Sequence, residues 1–189
     1  MPLLLAIAVL AWARATHKPW SDLGLGRPRS WLRAIVCGIV LGIGLKLVMK
    51  AIVMPLLGAD PVNREYQHLV GNTAALPAMA LSIVLVAGFG EEVFFRGFVF
   101  ERCARWFGRG PVATIATIVG SAVLFGLAHV SGHGADVVIQ ATIVGLVYGA
   151  IYARTRSLWM LMVGHATFDL VAVAIIYLGL EERVAHLLF

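Results

Sequence analysis

Two adjacent carboxylates and a guanidinium stand inside an apolar run, Gly90-Glu91-Glu92-Val93-Phe94-Phe95-Arg96-Gly97. Residues 77–89 before them are almost wholly apolar, and Phe98, Val99 and Phe100 follow, so the charges fall at membrane depth. A charge at the centre of a spanning helix costs roughly 2.5–3.5 kcal/mol on insertion scales, and three together call for a function. Glu92 and Arg96 are four apart and share a helix face, which reads as an ion pair that holds this helix against its neighbours. Glu91 is turned about 100° away. It has no base three or four positions off, since Ala87, Gly88, Phe94 and Phe95 stand there, so its partner must come from another helix.

Two further pairs lie in apolar segments, Phe125 with His129 and His165 with Asp169, each four apart on one face. Alone, His129 reads as a capping or packing residue at the end of a span. His165 and Asp169 are both near membrane depth, and an imidazole bonded to a carboxylate is an oriented base or a metal ligand. One acid and two histidines on three spans make a site. Glu91, His129 and His165 are also the ligand types of a catalytic zinc, although the chain has no His-Glu-x-x-His helix, so the expected cofactor is none or Zn2+.

The elements that must position these residues are membrane helices. Of 189 residues, 60% are hydrophobic and 13% charged, about half the charged fraction usual in a soluble domain. Mean hydropathy is +0.90. The expected fold is all-α, a polytopic transmembrane bundle of about six spans forming a single domain over residues 1–189. The spans fall at about residues 1–13, 32–57, 77–100, 112–129, 137–153 and 158–180, the first being short. The formal charge of +5 is spread over short connections without a basic stripe or aromatic platform, which excludes nucleic acid as a partner. Lipid bilayer and a peptide or protein substrate are the partners expected instead.

Loop charge sets the orientation. The first, third and fifth connections carry five, three and two of the fifteen Lys and Arg residues, so these loops are expected in the cytoplasm, with Trp12, Trp20, Trp31, Trp106 and Trp159 on or beside them at the interface. Cys37 and Cys103 build neither a disulfide framework nor a zinc site, and Cys103 falls in the third, basic loop. Lys46 and Lys50, four apart in the second span, are read as snorkelling outward, a polar interior being the alternative.

The pattern Glu-Glu-x-x-x-Arg at Glu91, Glu92 and Arg96, Phe-x-x-x-His at Phe125 and His129, and His-x-x-x-Asp at His165 and Asp169 resembles the CPBP (ABI) family of intramembrane proteases, which includes the type II CAAX prenyl endopeptidases. The resemblance covers a motif-bearing core of about residues 82–180. It implies a multi-pass protease of a prokaryote-like plasma membrane that cleaves a peptide or a prenylated protein. Glu91 would be the general base that activates water, His129 would help hold that water, and His165 and Asp169 would steady the oxyanion or orient the water. Glu92 and Arg96 would hold the third span and Phe125 would pack the fourth. The family's last position is often Asn, whereas this chain has Asp169, and an ionised Asp cannot donate a hydrogen bond. The alternatives are a non-enzymatic member serving bacteriocin immunity or partner binding, and a proton-coupled transporter.

One expectation concerns depth. His165 lies about seven residues, roughly 10 Å, from the cytoplasmic end of its span, while His129 ends its own at the outer face. Either the fourth helix begins well outside the membrane on the cytoplasmic side, or the loop after His129 dips inward; the Gly-rich stretch from Ser131 to Gly134 favours the dipping loop.

Overall fold

Every apolar run long enough to need its backbone satisfied internally becomes a helix, the solution open to a chain in lipid. The computed structural model describes residues 1–130 and 134–188, and no strand occurs among them. Six apolar helices follow in order: α1 (Pro2–Ala15), α2 (Trp31–Leu56), α3 (Thr73–Phe107), α4 (Pro111–Leu127), α5 (Ala135–Thr155) and α6 (Trp159–Tyr177). A short α7 (Glu181–Ala185) comes after them. Helices α2, α3, α5 and α6 are long and apolar enough to cross a membrane, while α1 and α4 are shorter. The protein is thus an all-α bundle and an integral membrane protein.

Local signals fix the helix ends. Ser30 caps α2, its Oγ accepting from the Arg33 amide at 3.3 Å. Pro111 opens α4 in the first turn, where its missing N–H costs nothing. Gly108 ends α3 with φ at +80°, a value most side chains avoid. The middle of α3 is wound in wider π-helical turns over Ile83–Glu91 and Val93–Phe98, the part that carries the acids and Arg96.

Close helix pairs depend on small residues. Helices α2 and α6 meet at Gly42, where a Cβ would stand 2.4 Å from the Gly164 carbonyl oxygen. Helices α4 and α5 meet at Gly126, where a Cβ would stand 2.0 Å from Thr142 Oγ1. Without a hydrophobic drive between helices in lipid, such backbone approach supplies the packing. The first half of α3 packs on α1 and α6 and its second half on α1, α4 and α5, with Val93, Tyr148, Leu158 and Leu161 fully buried among them.

The connections gather at two opposite ends. At one, Lys18 pairs with Glu101, Arg102 bonds Glu101 at 2.5 Å, and the Trp159 indole N–H donates to the Gly26 carbonyl at 2.8 Å. This ties the first connection to the end of α3 and the start of α6, beside the third and fifth connections, the other two basic ones. At the other end Glu181 accepts from the Asn63 amide at 2.8 Å and from the Gln67 side chain at 2.6 Å, and the Gly71 amide donates to the Tyr177 carbonyl.

Two expectations change here. Helix α3 runs to Phe107, so Glu101, Arg102 and Cys103 lie in its last turns rather than in a loop; Lys18, brought from the first connection, stabilises that polar extension. Lys46 does not reach outward. It is 8% exposed and its Nζ sits 4.2 Å from the centre of the Phe168 ring. Lys50 is likewise held, donating to the Pro61 carbonyl and lying 3.6 Å from Glu181. Partners on distant segments outweigh the general tendency of lysine to snorkel. The dipping loop falls mainly on Ser131, Gly132 and His133, which lie outside the described residues.

Candidate active site

Helix α3 carries Glu91 and Glu92 one residue apart, so they serve different neighbours. Glu92 is completely buried and its Oε1 accepts from Arg96 Nη1 at 2.8 Å, the pair expected from the spacing of four. The same oxygen lies 2.8 Å from His165 Nδ1. A carboxylate only accepts, so Nδ1 carries the proton and His165 presents Nε2 to the other side. There Nε2 faces Glu91 Oε2 and Asp169 Oδ2, each at 3.7 Å. This corrects the expected pairing: the group bonded to His165 is Glu92, 73 residues away, and Asp169, although four residues along the same helix, stands beyond hydrogen-bond distance. Glu92 therefore orients an imidazole as well as holding a helix.

Arg96 is enclosed by aromatic faces, its guanidinium carbon 4.5 Å from the centre of Phe125 and 5.5 Å from that of Tyr148. Phe125 in turn packs edge-on against His129, with ring centres 4.8 Å apart, and against His165 at 5.9 Å. His129 sits in the turn after α4, and its Nδ1 lies 2.8 Å from the Phe125 carbonyl oxygen, so it too holds its proton on Nδ1 and leaves Nε2 outward. The histidines thus flank one phenylalanine. At 1.5 Å per residue, Phe125 is about 21 Å along α4 and His165 about 9 Å along α6, so the α3–α4 hairpin is displaced by about 12 Å toward the basic end. The long extension of α3 to Phe107 accommodates this shift.

Glu91, Phe125, His129, His165 and Asp169 all line one cavity of about 310 Å3. Glu91 has 13% of its side chain exposed, and its Oε2 has no hydrogen-bond partner among the described residues. Asp169 is more open, at 31%. Four polar residues that sequence reasoning did not assign to the site also line the wall: Lys46 from α2, Asn63 and Tyr66 from the second connection, and Gln140 from α5. Lys46 was visible as a charge in an apolar run, whereas the others carry no signal of depth. Burial, with Glu65 and Asp169 nearby, raises the pKa of the Tyr66 phenol above its ordinary value, so it remains a neutral hydroxyl able to donate or accept.

The histidine tautomers would suit a metal as well as a water. Among the described residues, however, no three His, Cys, Asp or Glu side chains are grouped to hold a metal ion, so the set of Glu91, His129 and His165 does not fit a metal centre as placed.

The family model for type II CAAX prenyl endopeptidases, Rce1-like, matches residues 73–171. That is more than half of the chain, and it spans all three motifs. The chain belongs to that family. It follows that this is a protein of an intramembrane endopeptidase family, whose matched region begins with α3 and extends through His165 and Asp169 of α6. No curated protein and no solved structure matched the chain.

Proposed function

We propose that this Rce1-like chain is a multi-pass intramembrane endopeptidase that hydrolyses a peptide bond with water activated at Glu91. The observation that carries the reading is Glu91 Oε2, without a hydrogen-bond partner among the described residues, facing His165 Nε2 across 3.7 Å in a cavity within the bundle. Glu91 takes a proton from water while the water oxygen bonds to the carbonyl carbon, whose electron pair moves onto oxygen. His165, protonated on both nitrogens, donates from Nδ1 to Glu92 and from Nε2 to that oxyanion. His129 Nε2 accepts the second proton of the water in a hydrogen bond and fixes its direction. Collapse breaks the C–N bond, and the proton held by Glu91 passes to the departing amine. Asp169 orients His165 or the water, since as an anion it has no proton to offer an oxyanion. The substrate is a membrane-associated peptide or protein segment, prenylated tails included.

The test is cleavage of a peptide library by purified protein in liposomes, read by mass spectrometry, for wild type and Glu91→Gln. Loss of general-base action predicts a fall of at least about 100-fold with folding retained. Undiminished cleavage by Glu91→Gln would end the assignment, and a well-folded wild type that cuts nothing would favour the partner-binding alternative. Wild-type cleavage is expected to survive a chelator; loss that a divalent metal restores would instead assign the Nε2 atoms of His129 and His165 to metal.

A further inference from the structure

Five arginines at the basic end have no acid to answer them. Arg27 and Arg29 stand in the first connection, Arg33 in the first turn of α2, Arg154 in the last turn of α5 and Arg156 just after it. None is ion-paired among the described residues, whereas Lys18, Arg102 and Arg105 of the same end all meet Glu101. Asp22, the one acid of the first connection, is exposed and pairs with none of them. The fold locks their segments together. Gly24, with φ at +82°, packs so closely on α5 that a Cβ would stand 2.7 Å from the Tyr152 ring. Its carbonyl accepts from the Leu158 amide at 2.9 Å, and the Trp159 indole N–H donates to the Gly26 carbonyl at 2.8 Å. Trp159 packs edge-on against Trp31, with ring centres 5.0 Å apart. Arg156 ends α5 with φ at +51°, a left-handed conformation that glycine adopts freely and a long side chain seldom does. An arginine where the backbone favours glycine points to a use for its side chain, whose guanidinium carbon lies 5.1 Å from the centre of Tyr152.

We infer that this cluster binds the headgroup of an anionic phospholipid, its phosphate held by the arginines of the first connection together with Arg156 and its acyl chains lying along α2. A guanidinium presents a planar fork that matches two phosphate oxygens at once, and all five unpaired cations are arginine rather than lysine. The surface next to them favours a lipid over a soluble anion or an acidic protein. Leu32, beside Arg33, is 73% exposed, and Ile35, Val36 and Ile39 continue an exposed apolar face along this spanning helix. A ligand with phosphate at one end and hydrocarbon at the other satisfies both, and basic clusters where spanning helices leave the hydrocarbon hold anionic headgroups in this way. The inference does not depend on the endopeptidase reading. It bears on the site all the same, because α6 starts at Trp159 and reaches His165 within two turns, so a bound lipid braces the end of the helix that positions the imidazole.

The test compares binding of phosphatidylglycerol and of phosphatidylcholine with the same acyl chains to purified protein in neutral detergent, read by native mass spectrometry and by thermal midpoint. Wild type is expected to bind phosphatidylglycerol at least about tenfold more tightly than phosphatidylcholine. The triple variant Arg27→Gln, Arg29→Gln, Arg156→Gln should lose that preference while keeping the wild-type midpoint in detergent alone. A control that removes the same charge elsewhere at the basic end, Arg14→Gln, Arg105→Gln, Arg109→Gln, should keep it. Equal losses in the two triples would reduce the effect to net charge and overturn the site, as would a wild type without preference. Arg156→Gly separates side chain from backbone: it is expected to hold or raise the midpoint in detergent alone and to lose most of the gain that phosphatidylglycerol gives wild type. An undiminished gain in that variant would overturn the inference. Glycerol 3-phosphate supplies the phosphate without the chains and should fail to displace the bound lipid at equal concentration. Displacement as effective as that by phosphatidylglycerol itself would make this a site for a soluble phosphate and overturn the assignment to lipid.

Discussion

Glu92 shares a single oxygen between Arg96 and His165, so one buried carboxylate both neutralises a guanidinium and sets the tautomer of the imidazole that faces Glu91. Removing it strands Arg96, which has Nε and Nη2 already without partners among the described residues. Glu92→Ala is therefore expected to lose roughly 3–5 kcal/mol of stability, measured as unfolding in detergent, before any defect specific to catalysis appears. A variant as stable as its parent would mean that the pair does not bear on folding. The Glu92–Arg96 pair was legible in the sequence because both partners lie within one helical turn. The bond from Glu92 to His165 was not, because spacing along α6 pointed to Asp169 and nothing local reports a neighbour 73 residues away. The inward course of Lys46 was hidden for the same reason: Phe168 and Asp169, which it approaches, come from another helix.

At the scale of elements, hydropathy located all six apolar helices, with ends within a few residues except where polar turns extend a helix. Helix α3 shows the exception. Its last turns carry Glu101, Arg102 and Arg105, which read as loop until Lys18 and Trp12 are seen to pack on them. The depth of the fourth helix was illegible because sequence gives helix length but not displacement along the bundle. Helix contacts, by contrast, rest on residues too small to hold the helices apart. Gly42→Leu would drive a side chain into the Gly164 carbonyl, 2.4 Å from its Cβ, and part α2 from α6. Overpacking of this kind is expected to cost about 1–3 kcal/mol and to lower the thermal midpoint in detergent. Since α2 carries Lys46 and α6 carries His165, cleavage should fall along with it. An unchanged midpoint would show that the two helices can separate freely.

The whole molecule is polarised by charge, with the three basic connections gathered at one end and Asp60, Glu65, Asp136, Glu181 and Glu182 in the segments of the other. By the positive-inside rule the basic end is expected in the cytoplasm. In a background without Cys37 and Cys103, a single cysteine near Arg29 or Arg156 should resist an impermeant reagent applied to intact cells, and one near Asn63 should react; the reverse pattern would invert the protein in the membrane. The cavity unites residues from α3, the end of α4 and α6, and the central claim is that they act on one water. A double-mutant cycle on cleavage rate, with Glu91→Gln, His165→Gln and the pair, tests that claim most directly. Residues acting as a unit lose their contribution once, so the double variant is expected to be no slower than the slower single one. Losses that multiply in the double variant, or either single variant cleaving at the wild-type rate, would contradict a shared site.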